Sequence, residues 1–185
     1  MDMSTKNFKG KEIGIGVTGS IAAYKAAEIV SYLHQQGASV TVLMTDAATK
    51  FVTPFTFQTL SHNKVITDLF SADYAFDPQH IVLAEKLDAL LIAPASGNII
   101  GKIASGIAND ALSTLVMSVK PSKVIIAPAM NEKMYLNPIV QNNITHLKKQ
   151  GYHFIEPEKG KLVCGSGIGR LASFDAIITY LSRKI

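Results

Sequence analysis

Two kinds of hydrophobic pattern alternate along the chain. Short apolar runs stop at turn residues, and longer stretches place apolar residues three or four positions apart. The first kind predicts buried strands and the second predicts amphipathic helices. Strands are predicted over Glu12 to Val17, Ser39 to Met44, Asp88 to Ala93 and Lys123 to Ala127, with a short one over Tyr152 to Ile155. Within Ile21 to Gln36, the residues Ala22, Ala26, Ile29 and Leu33 share one helical face, and Gly37 ends the helix as a left-handed cap. Further helices are predicted over Pro54 to Leu60, from Asn98 onward, and over Asn109 to Val119, Pro138 to Gln150 and Ser173 to Ser182. Ile81 to Ala84 predicts a short edge strand. Asp68 to Gln79 is polar and irregular, and Lys159 to Arg170, with its four glycines, predicts a mobile loop.

Strands that alternate with helices predict an α/β fold. The expected form is a doubly wound, mainly parallel sheet flanked by helices, a Rossmann-like or flavodoxin-like three-layer sandwich. One domain over residues 1–185 is expected, since no linker, repeat or low-complexity tract interrupts the chain. In such a sheet the ligand sits at the carboxyl ends of the strands. The turns to search are therefore Thr18 to Ser20, Thr45, Pro94 to Asn98 and Pro128 to Asn131.

Composition narrows the partner. Hydrophobic residues make up 48% and charged residues 17%, which excludes disorder. The longest apolar run is too short to span a bilayer, so no membrane partner is expected. The opening MDMSTKNFKGK lacks an apolar signal core, and one cysteine cannot form an internal disulfide, so a cytoplasmic location is expected. Net charge is +4 with no dense Lys/Arg cluster and no Trp, which suits an anionic small molecule better than nucleic acid.

Gly14, Gly16 and Gly19 satisfy the dinucleotide spacing GxGxxG, but the first two lie inside the strand rather than after it. Asp46 lies 27 residues beyond Gly19, against roughly 20 for a ribose acid. The dinucleotide reading is rejected. Thr18-Gly19-Ser20 reads instead as a helix N-terminus with backbone N–H groups and two hydroxyls for a phosphate, or as an ordinary N-cap. Asn98, after Pro94-Ala95-Ser96-Gly97, makes a second such turn. No GxxxxGK[ST] is present. Two phosphate-friendly turns without a ribose acid point to a mononucleotide, and FMN fits.

Several segments resemble the homo-oligomeric flavin-containing cysteine decarboxylases: VTGSIAAYKA (17–26), VLMTDAATKFV (42–52), HIVLAEKLDALLIAPASGNIIGKIASGIANDAL (80–112), PAMNEKM (128–134) and LVCGSGIGR (162–170). This family includes the phosphopantothenoylcysteine decarboxylases of coenzyme A synthesis and decarboxylases that modify lantibiotic peptides. The resemblance implies that Gly19, Ser20 and Thr45 lie near the phosphate and ribityl chain of FMN. It implies that Ser96, Gly97, Asn98 and Ile99 form the second flavin turn, with Ala129 also at the cofactor. Ala129, Met130 and Asn131 are implied as the substrate side, with Asn131 holding a carboxylate. His80 and Cys164 are implied as catalytic, Cys164 as the proton donor of a flap. No metal is implied. A homotrimer, or a dodecamer of trimers, is implied, with the site between subunits.

The chain departs from the family pattern at three positions. Gly97 stands where alanine is usual, Ile99 where threonine is usual, and Ser166 where an acid is usual. Ile99 has no side-chain donor, so a flavin contact there must use backbone. The chain ends at Ile185, where many bacterial relatives continue into a ligase domain, so a monofunctional enzyme is expected.

The implied substrate is 4′-phosphopantothenoyl-cysteine. Its acylated nitrogen cannot form a Schiff base, and direct CO₂ loss would leave an unstabilised carbanion. Oxidation by a flavin to a thioaldehyde supplies an electron sink, CO₂ leaves, and re-reduction of the enethiol gives 4′-phosphopantetheine. A peptidyl-cysteine decarboxylase, which would stop at the enethiol, and a flavin-binding regulatory subunit without turnover are the competing readings. For single residues the alternatives are a structural histidine at His80, a helix N-cap at Asn131, packing at Met130 and Met134, and a buried apolar thiol at Cys164. The glycines and cations around Cys164 favour a reactive thiol.

Overall fold

The computed structural model describes residues 8–68, 79–162 and 165–185. Five strands form one parallel sheet: β1 Glu12–Val17, β2 Ser39–Met44, β3 Ala89–Ala95, β4 Val124–Pro128 and β5 His153–Phe154. Their order is β2-β1-β3-β4-β5, the doubly wound order that the alternating pattern predicts. Between them run the helices α1 Lys25–Gln35, α2 Asp46–Thr49, α3 Pro54–Ser61, α4 Gln79–Lys86, α5 Gly97–Ala104, α6 Ala111–Ser118, α7 Glu132–Tyr135 and α8 Pro138–Lys149. An antiparallel hairpin, β6 Glu158–Leu162 and β7 Gly165–Arg170, and the helix α9 Phe174–Ser182 complete the described chain.

Side chains alternate across a strand, so the central strands feed two cores. Ile13, Ile15 and Val17 of β1 and Leu91 of β3 join α1 and α9 on one face. Leu90 and Ile92 of β3 join α5, α6 and α8 on the other. Both faces are covered, which is why these strands read as unbroken apolar runs. On the second face β1 presents Gly14 and Gly16. A Cβ on Gly16 would come within 2.6 Å of Leu112, and one on Gly14 within 2.9 Å of Leu90. These two glycines admit helix and strand side chains to the sheet, and they have no part in a dinucleotide loop.

Two predicted elements differ. Ile81 to Ala84 belongs to helix α4, and no edge strand forms there. Four consecutive apolar residues suit either element; the inward side is set by Ala84 and Leu87, three apart and both buried. The described residues of Lys159 to Arg170 form no loop but the β6 and β7 strands, with Lys159 opposite Ile168 and Gly160 opposite Gly167. The helix predicted from Ile21 starts as a 3-10 turn over Ile21–Tyr24 before α1. The one-turn helices α2 and α7 had no sequence signal beyond their caps.

Candidate active site

The strand order reverses between β1 and β3, so the turns leaving these two strands sit side by side. Thr18 locks them together. Its side chain is buried, its Oγ1 donates to the Pro94 carbonyl at 2.7 Å, and the same oxygen accepts from the Ser96 N–H at 2.9 Å. The sequence offers both hydroxyls of Thr18-Gly19-Ser20 to a phosphate, or the turn as an ordinary N-cap. The phosphate role is corrected for Thr18, whose hydroxyl is committed to the protein. Ser20 caps the 3-10 turn, its Oγ accepting from the Ala22 N–H at 3.3 Å. Gly19 is required by close packing, because a Cβ there would lie 2.5 Å from Ala47 of α2. Ser96 caps α5, accepting from the Ile99 N–H at 3.4 Å. The first N–H groups of α5 have no intrahelical partner.

A cavity of about 610 Å³ opens at this edge. It joins Gly19 and Ser20 of the first turn, Ser96 and Gly97 of the second, and Ala129, Met130 and Asn131 after β4. Its volume is that of a small-molecule site. Lys25 and Arg170 supply positive charge, while Tyr24, Phe51, Met134 and Leu171 supply apolar wall. Glu158 lies near both cations. Hydrogen bonds from Ser173 hold its carboxyl below the usual range, and the charges of Arg170 and Lys25 add to this. Polar donors, cations and an apolar wall in one cavity fit a mononucleotide that carries a planar ring system.

Asn131 is the N-cap of α7. Its Oδ1 accepts from the Lys133 N–H at 2.9 Å, which directs the amide Nδ2 to other acceptors. Both readings of this residue are therefore compatible. The platform beneath it is fixed by Tyr135, whose hydroxyl donates to Glu156 at 2.8 Å. Burial, with Glu156 adding, pushes the Tyr135 phenol up to about 12. Met130 and Met134 both reach the cavity wall, where the sequence offered packing as the plainer role.

Other expected residues lie elsewhere. Thr45 caps α2, its Oγ1 accepting from the Ala48 N–H at 3.3 Å. Asn98 is exposed and Ile99 is buried in the second core. His80 is half-buried in the first turn of α4. None of these four lines the cavity among the described residues. Because α4 runs back toward the start of β3, its first turn still faces the carboxyl edge of the sheet. Cys164 lies outside the described residues. Sequence reasoning missed Lys25, Phe51 and Leu171 as wall residues and saw Arg170 only as a charge near the cysteine. The lysine of GSIAAYK, inside a matched segment, was the available signal for Lys25.

Among the described residues, no group of three metal-ligating side chains occurs and no helix is long and apolar enough to cross a membrane. The chain resembles known proteins along nearly its whole length. The coenzyme A biosynthesis bifunctional protein CoaBC of Borreliella burgdorferi is 48% identical over 171 residues, 92% of this chain. This chain spans 43% of that relative's length. The probable phosphopantothenoylcysteine decarboxylase of Streptococcus mutans is 44% identical over 181 residues, 95% of this chain and 99% of that protein. Among solved structures, the FMN-dependent cysteine decarboxylase SpaF matches with a TM-score of 0.81 at 28% identity, covering 96% of this chain and 98% of that one. The Flavoprotein family pattern matches residues 2–185, and the chain belongs to that family.

Proposed function

We propose that this protein binds FMN and decarboxylates 4′-phosphopantothenoyl-cysteine to 4′-phosphopantetheine, a step of coenzyme A biosynthesis. The observation that carries the reading is the single cavity that joins the Ser20 and Ser96 turns to Asn131. The full-length similarity to the Streptococcus mutans protein supports the substrate. The SpaF match supports FMN and cysteine decarboxylation.

In this reading Gly19, Ser20 and the first N–H groups of α5 hold the FMN phosphate. The apolar wall of Tyr24, Phe51 and Met134 would exclude water from the ring once another subunit covers it. Bound there, FMN would supply reversible two-electron redox chemistry for the decarboxylation. Asn131 Nδ2 donates to that carboxylate without placing a competing charge beside it. His80 serves as acid or base, and Cys164 gives the proton that completes the saturated thiol.

His80 sits outside the cavity of its own chain, so its role requires a second copy. Ile21, Tyr24, Phe51 and Met134, all at the cavity, are 58%, 61%, 50% and 52% exposed. Apolar exposure on that scale suits burial by another subunit, in a homotrimer or a dodecamer of trimers. We assign residues 1–185 to one such unit, located in the cytoplasm, with a small molecule as its substrate.

The test is an anaerobic reaction of the purified yellow protein with this substrate, compared with Cys164→Ser. Wild type should return its flavin to the oxidised form and yield the saturated thiol. Cys164→Ser should stop with reduced flavin and the enethiol. A wild type that itself stops at the enethiol would favour a peptidyl-cysteine decarboxylase. Protein without flavin absorbance would remove every flavin reading, including the regulatory subunit.

A further inference from the structure

The hairpin is held against the substrate side of the cavity at two points that bracket Asn131. The first is backbone to backbone: the Met130 N–H donates to the Gly169 carbonyl at 3.0 Å. Gly169 has φ +132, and a Cβ there would collide with the Met130 carbonyl. The second uses a side chain. The Glu132 carboxylate accepts from the Ile168 N–H at 2.9 Å. The same carboxylate fills the space that a side chain on Gly167 would occupy. Glu132 is half-buried in this contact. Gly167 and Gly169 are thus bare because α7 and the segment before it press on them.

We propose that Glu132 is a positioning residue that seats β7 over the cavity wall and so sets the placement of Asn131 and of the neighbouring Arg170. The inference rests on the decarboxylase reading for its kinetic consequence, but not for its structural one. An ionised acceptor on a strand N–H is a stronger tie than a neutral one. It lies one residue from Asn131 on the one-turn helix, so loss of the seat alters the wall that meets substrate. The FMN phosphate turns belong to β1 and β3 and do not depend on it. Glu132 is not among the residues that line the cavity. It acts through the backbone of β7.

Three variants of the full chain test this: Glu132→Ala, Glu132→Gln and Gly167→Ala. In Glu132→Ala, amide exchange at Ile168 should quicken about tenfold, as expected for loss of a charge-assisted bond. KM for 4′-phosphopantothenoyl-cysteine should rise about tenfold with kcat within about twofold and flavin content unchanged, because the lost energy is substrate placement. Glu132→Gln keeps a carbonyl acceptor without the charge and should restore part of both. Gly167→Ala leaves Glu132 in place but displaces its carboxylate, and should reproduce Glu132→Ala. Unchanged exchange at Ile168 in Glu132→Ala would overturn the seat. So would an unchanged KM despite faster exchange, or a glutamine variant as impaired as alanine. If wild type leaves the substrate untouched, the decarboxylase reading fails, and exchange at Ile168 alone decides the seat: faster in alanine than in glutamine supports it, and no difference overturns it.

Discussion

The two walls of the cavity are built in opposite ways. The floor, made by the turns after β1 and β3, is fixed from inside the sheet. Its tie is the Thr18 hydroxyl, buried and bonded to both neighbours across 76 and 78 residues of chain. The opposite wall, β6–β7 on α7, is fixed from outside the sheet. Its ties are the Glu132 carboxylate and one backbone bond to Met130, with Arg170 exposed at its end. Breaking the floor leaves the buried Pro94 carbonyl unpaired, whereas breaking the hairpin lets water replace what is lost. In the proposed function the floor would therefore govern stability and cofactor binding, and the hairpin substrate.

This contrast can be broken by four substitutions. Thr18→Val carries the largest effect. It leaves the buried Pro94 carbonyl and the Ser96 N–H at the cavity edge without their partner, costing about 2–4 kcal/mol in urea unfolding, and flavin should be lost with it. A stability within error of wild type would refute the internal tie. Gly169→Ala comes next. The side chain meets the Met130 carbonyl in a conformation that costs about 1–3 kcal/mol. Activity should fall at least about tenfold, since that strain is released by unseating the hairpin. Flavin content should hold, and loss of flavin would merge the two walls into one unit.

Asp110 braces the floor more distantly. It caps α6, and its carboxylate meets Lys102 of α5 at 2.6 Å. Burial pushes this carboxyl up, but the bonds from Lys102 and Ser113 outweigh it, and the net position is below the usual 3.8. A lowered folded value gives stability that is present above 3.8 and lost as pH falls through the folded value. Asp110→Ala should cost about 1 kcal/mol at neutral pH, and the difference from wild type should shrink with acid. A difference that grows with acid would reverse the assigned sign. The smallest effect is a gain. A Cβ on Gly97 would find Met130 Sδ at 3.6 Å as its nearest neighbour, which is ordinary contact. Gly97→Ala at the start of α5 should stabilise by about 0.4–1 kcal/mol and retain flavin. The alanine usual in the family fits here, so the departure at Gly97 reflects no steric need among the described residues.

The floor was legible in the sequence because its strands are buried on both faces and end in turn residues. Each of its turns could be placed before any contact was known. The role of Thr18 was not legible, since a hydroxyl after a strand reads alike whether it meets a ligand or a carbonyl 76 residues away. The hairpin was illegible for a stronger reason. Its strands have no alternation of apolar residues, and glycines at 160, 165, 167 and 169 read as freedom. Gly167 and Gly169 instead record how closely Glu132 and Met130 approach. The α4 segment failed through the ambiguity of a four-residue apolar run, and Lys25 through sitting in a helix that already had a packing explanation.

The central claim is that one cavity carries both flavin and the cysteine end of a phosphorylated substrate. Mass spectrometry of 4′-phosphopantothenoyl-cysteine incubated with the flavin-loaded protein tests it most directly. The account predicts loss of the mass of one CO₂ to give 4′-phosphopantetheine, with Asn131→Ala reducing the yield at least about tenfold through loss of a bond to a charged group. Substrate recovered unchanged from wild type would contradict it.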